Sequence, residues 1–345
     1  MEGTEEEPAA SATAAEAPSA DEALPGKAAP PEIFGLMLLA GDLHEDITEG
    51  ASFPQFQVVA VHGLYGHRVG TWTTDAIGEE SGTSWMTEQI YKQHKDAQVL
   101  TWGYDASINR AGISTRTGIR QKAFELLETL VKMRKKWETK PIPLAFVAHD
   151  LGGIIVKEAL LIAARQYKKY RNILEWTRLL MFFGCPHQCK STEDMADNLA
   201  RLFYQVVQPV RKTGQPDMEI ASEKLGNPVV RRARMGTVNL LRNLGTWVNE
   251  INDSFYASNM PSLLSILDIY SAIEDLTAQV FREFTACMDI SYEERFGVVK
   301  PHTRLGQITQ KDVDKELRNR IEITLKILQM GSGSLYPTRS KQILF

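Results

Sequence analysis

Residues 143–160 read PLAFVAHDLGGIIVKEAL. The apolar run Leu144 to Ala148 has the character of a buried strand. It enters His149-Asp150-Leu151-Gly152-Gly153, after which Ile154, Ile155, Val156, Ala159 and Leu160 recur at helical spacing. The stretch is therefore a strand, a sharp turn and a helix. Paired glycines permit a tight, partly strained turn and let the helix approach the sheet closely, so residue 150 is thrust out at the strand's carboxyl end.

Other strands flank this one. Phe56 to Val61 is a continuous apolar run closed by His62-Gly63-Leu64-Tyr65-Gly66-His67, and Ala97 to Trp102 is the next. Leu179 to Phe183 follows and ends in Gly184-Cys185-Pro186-His187. Ile33 to Leu39 reads as an edge strand or the start of a hairpin. Helical spacing covers Ser84 to Gln93 and Gly118 to Trp137, so strands and helices alternate. That alternation predicts an α/β protein with a mostly parallel sheet covered on both faces. Residues from about 190 to 258 break the rhythm with helical periods alone, which predicts a helical cap insertion. The sheet is expected to resume at Leu263 to Tyr270, with a helix over Ile273 to Phe284. A last strand near Phe296 to Val299 leads to Pro301-His302, and a final helix covers Lys311 to Leu328. The expected organisation is an acidic Ala/Pro-rich disordered tail over 1–32, one domain over 33–330 and a flexible tail over 331–345.

Composition narrows the function classes. The first 50 residues hold twelve acidic side chains against one lysine, a balance of −11, so the rest of the chain carries +7 of the overall −4. The basic runs Lys132 to Lys136, Lys168 to Arg171 and Arg231 to Arg234 read as solvated helix faces, with peripheral contact to an anionic membrane as the other use. They lack interleaved aromatic residues, so no nucleic-acid partner is expected. Three cysteines, Cys185, Cys189 and Cys287, make no disulfide framework, which fits a reducing, cytoplasmic or organelle-associated setting. No second ligand pair accompanies Cys185-Pro-His187-Gln-Cys189, so no metal is expected, and no motif calls for a cofactor. No apolar run reaches the ~18 residues a membrane helix needs, and the amino terminus lacks the basic flank and apolar core of a signal peptide.

Four ordered segments carry a resemblance: VVAVHGLYGHRVGTW (58–72), AQVLTWGYDA (97–106), FVAHDLGGIIVKEAL (146–160) and LLMFFGCPH (179–187). Together they resemble the α/β-hydrolase domain of serine-active-site-containing, lipase-like proteins, and the HDLGG form found in fungal versions ahead of NACHT or ankyrin segments. In G-x-S-x-G the elbow position belongs to serine; here it holds Asp150, and Ala148 stands for the first glycine. The resemblance makes His62-Gly63-Leu64-Tyr65 the oxyanion loop, with one donor amide at Leu64 or Tyr65 and a second at Leu151. It makes His302 the late proton-transfer histidine and leaves the acid among Asp268, Glu274 and Asp275. His187 is expected to brace the sheet edge, while Trp72 and Trp102 line a pocket or fill the core.

Aspartate at the elbow leaves two readings. In one, Asp150 attacks an sp3 carbon, as in epoxide hydrolases and haloalkane dehalogenases, and His302 activates the water that cleaves the resulting ester. Leu151 departs from the tryptophan common in those relatives. In the other, the carboxyl group accepts hydrogen bonds from the oxyanion amides and fills the site, leaving a silent domain for ligand binding or signalling. The partner is then a small-molecule or lipid-like ligand, or a protein.

Overall fold

The computed structural model describes residues 34–41, 53–74, 84–106, 113–138, 142–207, 228–275 and 279–330, together with Gly82, Ile108 and Lys140. The two expected tails, and residues 208–227 of the expected insertion, lie outside them.

Seven strands form one sheet: β1 (Gly35–Ala40), β2 (Phe56–Val61), β3 (Ala97–Gly103), β4 (Leu144–His149), β5 (Thr177–Phe183), β6 (Ser265–Ser271) and β7 (Glu293–Val298), in the order β1-β3-β2-β4-β5-β6-β7. β1 runs antiparallel to β3, and every other pair is parallel. The central strands read FQVVAV, LAFVAH and TRLLMFF and are buried along their whole length, as continuous apolar runs must be when both sheet faces are covered. Alternate side chains serve opposite faces. Val59 and Val61 join the larger core with α1 (Arg116–Arg134), α2 (Gly152–Arg165), α3 (Tyr167–Trp176), α4 (Thr192–Val207) and α5 (Pro228–Ala257). Phe56, Val58 and Ala60 join the second core with Trp72, Trp85 and helix α7 (Lys315–Met330).

Several elements differ from the sequence reading. Residues Met86–Tyr91 wind with π geometry, the Lys92 amide reaching back to the Thr87 carbonyl. The short α3 has no counterpart in the sequence reading. The helix expected over Ile273 to Phe284 is corrected: among the described residues there, only the one-turn α6 (Glu283–Ala286) is helical. Its apparent period comes from an irregular segment that inserts consecutive residues, Val280 and Phe281, into the core and exposes the next three. The expected cap is also more deeply seated than an edge cover. Leu241, Leu244, Val248, Ile251 and Phe255 of α5 are buried in the same core as α2.

The parallel strands all end on one side, so the sequence's candidate segments gather there. His62–Tyr65 follow β2, Asp150 follows β4, Gly184–His187 follow β5 and His302 follows β7.

Candidate functional site

The turn at Asp150 has the expected form. Its φ is +53°, a left-handed conformation that aspartate tolerates better than most residues and that still stores strain. The Asp150 amide donates to the Phe183 carbonyl at 3.0 Å, and the Gly153 amide donates back to the Asp150 carbonyl at 3.1 Å. A Cβ on Gly152 would lie 2.4 Å from the Val61 carbonyl oxygen, and one on Gly153 2.5 Å from Cys185 Sγ. Both glycines are thus required by the close seating of α2 against β2 and the end of β5.

Asp150 is buried, and its side chain faces the loop after β2. The Leu64 amide donates to Oδ2 at 2.9 Å. A Cβ on Gly63 would lie 2.4 Å from Asp150 Cβ and 2.6 Å from Oδ2, so only glycine lets the loop come this near. Burial pushes the Asp150 pKa up to about 8, against the opposing pull of the Leu64 and Leu151 amides. At pH 7 the group is therefore mostly a neutral acid. Oδ1 has no hydrogen-bond partner among the described residues. Of the two loop amides the sequence offered, Leu64 faces the elbow; the Tyr65 amide donates instead to the Ala106 carbonyl at 3.4 Å.

The His302 ring packs against that of His149. The two rings are 5.1 Å apart, Phe281 stands edge-on at 5.2 Å, and His149 Nε2 donates to the His302 carbonyl at 3.0 Å. Burial, then the neighbouring His149, hold the His302 pKa well below the ordinary imidazole range. Its Nε2 is buried without a partner, and no hydrogen bond among the described residues joins His302 to Asp150.

The acid candidates separate. Asp268 is fully buried in β6 and faces His187, not His302: His187 Nε2 lies 3.2 Å from Oδ1, but off the direction of a good hydrogen bond. Asp268 Oδ2 accepts from the Met288 amide at 3.2 Å, and the carboxyl also bonds to Glu293. Glu274 and Asp275 are exposed in the loop after β6. Glu274 makes no hydrogen bond or ion pair among the described residues.

His187 belongs to a network that the sequence reading did not foresee. Lys157 Nζ lies 2.6 Å from His187 Nδ1 and donates to Asn252 Oδ1 at 2.6 Å, with the rings of Phe182 and Phe255 at 5.4 and 5.6 Å. Burial brings the Lys157 pKa down to about 8. Both ring nitrogens of His187 therefore face partners, and the residue holds α2, β6 and α5 together. The available signal was a lysine amid the apolar run IIVKEALLIAA.

Two surface depressions, of about 500 Å³ beside Phe124 on α1 and about 370 Å³ beside Asn198 on α4, are not lined by Asp150, Leu64 or His302. Trp72 stands edge-on to His149 and Phe183, and Trp102 stacks on Tyr104 at 4.8 Å; both tryptophans are buried. Among the described residues no group of three or more His, Cys, Asp or Glu is placed to hold a metal ion, and no helix is long and apolar enough to cross a membrane.

A mostly parallel sheet in this order, with a left-handed elbow after β4 facing a glycine-bearing loop after β2, is an α/β-hydrolase fold. The family model described as "Putative serine esterase (DUF676)" matches residues 54–233, more than half of the chain, and the chain belongs to that family. Protein SERAC1 of Bos taurus is 25% identical over 187 residues, and the Homo sapiens protein is 24% identical over the same length. Each match covers 48% of this chain and 28% of the relative, so the chain aligns with little more than a quarter of those proteins. Among solved structures, an esterase of Pyrococcus furiosus is similar at 12% identity, covering 80% of this chain and 83% of its own, with a TM-score of 0.44. A lipase of Bacillus licheniformis is similar at 13% identity over 81% of this chain and 95% of its own, with a TM-score of 0.42.

Proposed function

We propose that this chain uses the esterase scaffold as a binding or signalling domain, with Asp150 filling the site where the family's serine reaction would occur. The observation that carries this reading is the 2.9 Å hydrogen bond from the Leu64 amide to Asp150 Oδ2. An acyl-transfer enzyme needs that donor unoccupied, aimed at the oxygen on which charge develops. Here the side chain at the nucleophile position takes it. A neutral carboxyl group is also a poor nucleophile, and His302 is not joined to Asp150 by a hydrogen bond. Both points weigh against Asp150 attacking an ester or an epoxide.

The same reading groups the chain with the HDLGG-type fungal domains and assigns it a small-molecule, lipid-like or protein partner. It keeps a reducing compartment as the expected setting, because Cys185, Cys189 and Cys287 are too few and too poorly spaced in the sequence for a disulfide framework.

Turnover of short acyl esters and of epoxides by the purified chain, compared with Asp150→Asn, tests the proposal. Equal inertness is the expected outcome; turnover by the wild type that Asp150→Asn abolishes would overturn it. Asp150→Ser, probed with a fluorophosphonate, then asks whether the remaining residues can still support acylation.

A further inference from the structure

We propose that His62, steered by Tyr104, is the positioning residue that aims the Leu64 amide into the elbow. The inference rests on reading Leu64 as an oxyanion-hole donor, and it holds whether the hole is filled by Asp150 or used by a reacting group.

The argument starts from the peptide that joins Gly63 to Leu64. A trans peptide is planar, so its C=O and N–H point in opposite directions and whatever fixes one fixes the other. The Gly63 carbonyl accepts from His62 Nδ1–H at 3.0 Å and from the Gly66 amide at 2.9 Å. The other end of the same plane is the Leu64 N–H, which donates to Asp150 Oδ2 at 2.9 Å. Drawing the carbonyl toward the imidazole therefore turns the amide toward residue 150.

This works only if Nδ1 carries the proton. The Tyr104 amide donates to His62 Nε2 at 3.3 Å, which makes Nε2 the acceptor and leaves Nδ1 as the donor of the neutral ring. Tyr104 holds the residue in two further ways. Its hydroxyl donates to the His62 carbonyl at 2.9 Å, and its ring lies parallel to the imidazole, 4.5 Å away and tilted by 10°. Trp102 stacks on the other partner of that pair at 4.8 Å from Tyr104, so the clasp is seated on β3. Burial brings the His62 pKa down to about 4, which keeps the ring neutral.

The competing explanation is that the Gly66–Gly63 bond fixes the peptide alone, and substitutions distinguish the two. Amide exchange at Leu64 and the carboxyl titration of Asp150, by NMR on the labelled full chain, report on the contact without any need for turnover. His62→Leu should speed Leu64 exchange roughly tenfold and raise the Asp150 titration midpoint by about one pH unit, since a hydrogen bond to the ionised form is lost. His62→Asn, whose side-chain N–H can stand near the Nδ1 position, should restore both values. Tyr104→Phe should move both in the same direction as His62→Leu and by less. A folded His62→Leu with unchanged Leu64 exchange and unchanged Asp150 titration overturns the proposal. If that variant does not fold, the same null result in Tyr104→Phe overturns it. Turnover lost in Asp150→Asn would instead sink the silent-domain reading and leave these observables where they are.

Discussion

Replacing Asp150 by asparagine should stabilise the protein at neutral pH, and the gain should fade as the solution is acidified. The folded carboxyl titrates at about 8 because of burial, against 3.8 as the ordinary value. Between those two values the folded chain holds a proton that the unfolded chain has released. Stability is therefore full below pH 3.8 and falls as pH rises toward 8, by about 1.4 kcal/mol per pH unit. At pH 7 this amounts to about 4 kcal/mol. Asparagine never ionises, and its carbonyl can still accept from Leu64. Its amide nitrogen, placed where Oδ1 has no partner, costs about 1–3 kcal/mol at every pH. The net expectation is a variant more stable by about 1–3 kcal/mol at pH 7 and no more stable, or less so, at pH 4.5. Urea unfolding of both proteins at several pH values between 4.5 and 8 measures the difference. Parallel curves across that range would refute the claim that the elbow carboxyl is held protonated.

Three further perturbations probe the surrounding geometry. Gly63→Ala should cost about 1–3 kcal/mol, because its Cβ would meet Asp150 at 2.4 Å; the cost should shrink in the double variant Gly63→Ala, Asp150→Gly, as read from denaturation midpoints. Lys157→Met should lose about 3–5 kcal/mol at pH 7, since it strips buried Asp268 of a neighbouring cation and leaves His187 Nδ1 and Asn252 Oδ1 without their donor; a loss under 1 kcal/mol would mean that the network is held by other contacts. Gly184→Ala should cost about 1–2 kcal/mol or more, with φ at +58° and His302 ring atoms 2.8 Å from the new Cβ; its thermal midpoint and the His302 imidazole shifts should move together.

The fold was legible because its central strands are unbroken apolar runs and its elbow carries two glycines, both signals that tertiary context rarely overrides. The close approach of the loop after β2 to the elbow was legible for a related reason: Gly63 has to be glycine for a backbone to pass that close to residue 150. What escaped was whatever depends on pairing across the chain. Asp268 was one candidate acid for His302 because it falls at the end of an expected strand, yet its side chain faces His187, Met288 and Glu293. No local pattern announces that Lys157 and Asn252, 95 residues apart, will share a hydrogen bond. The segment after β6 mimicked a helix because its apolar residues fall at helical spacing in the sequence, whereas among the described residues Val280 and Phe281 are buried side by side and the next three are exposed.

A carboxyl group at position 150 is an expensive way to satisfy one amide. Asparagine would accept the same hydrogen bond without opposing folding near neutral pH, and serine would restore the family's reactive group. What aspartate alone adds is a proton that can leave at about pH 8, converting a neutral acceptor into an anion facing Leu64 and Leu151. Asp150→Asn and Asp150→Ser therefore test separable properties. The first removes the titrating proton and keeps the acceptor; the second removes the carboxyl group and frees the two amides. If ligand binding survives in the first variant and fails in the second, the filled hole is what the ligand-binding form requires. If it fails in both, the ionisable group itself is required.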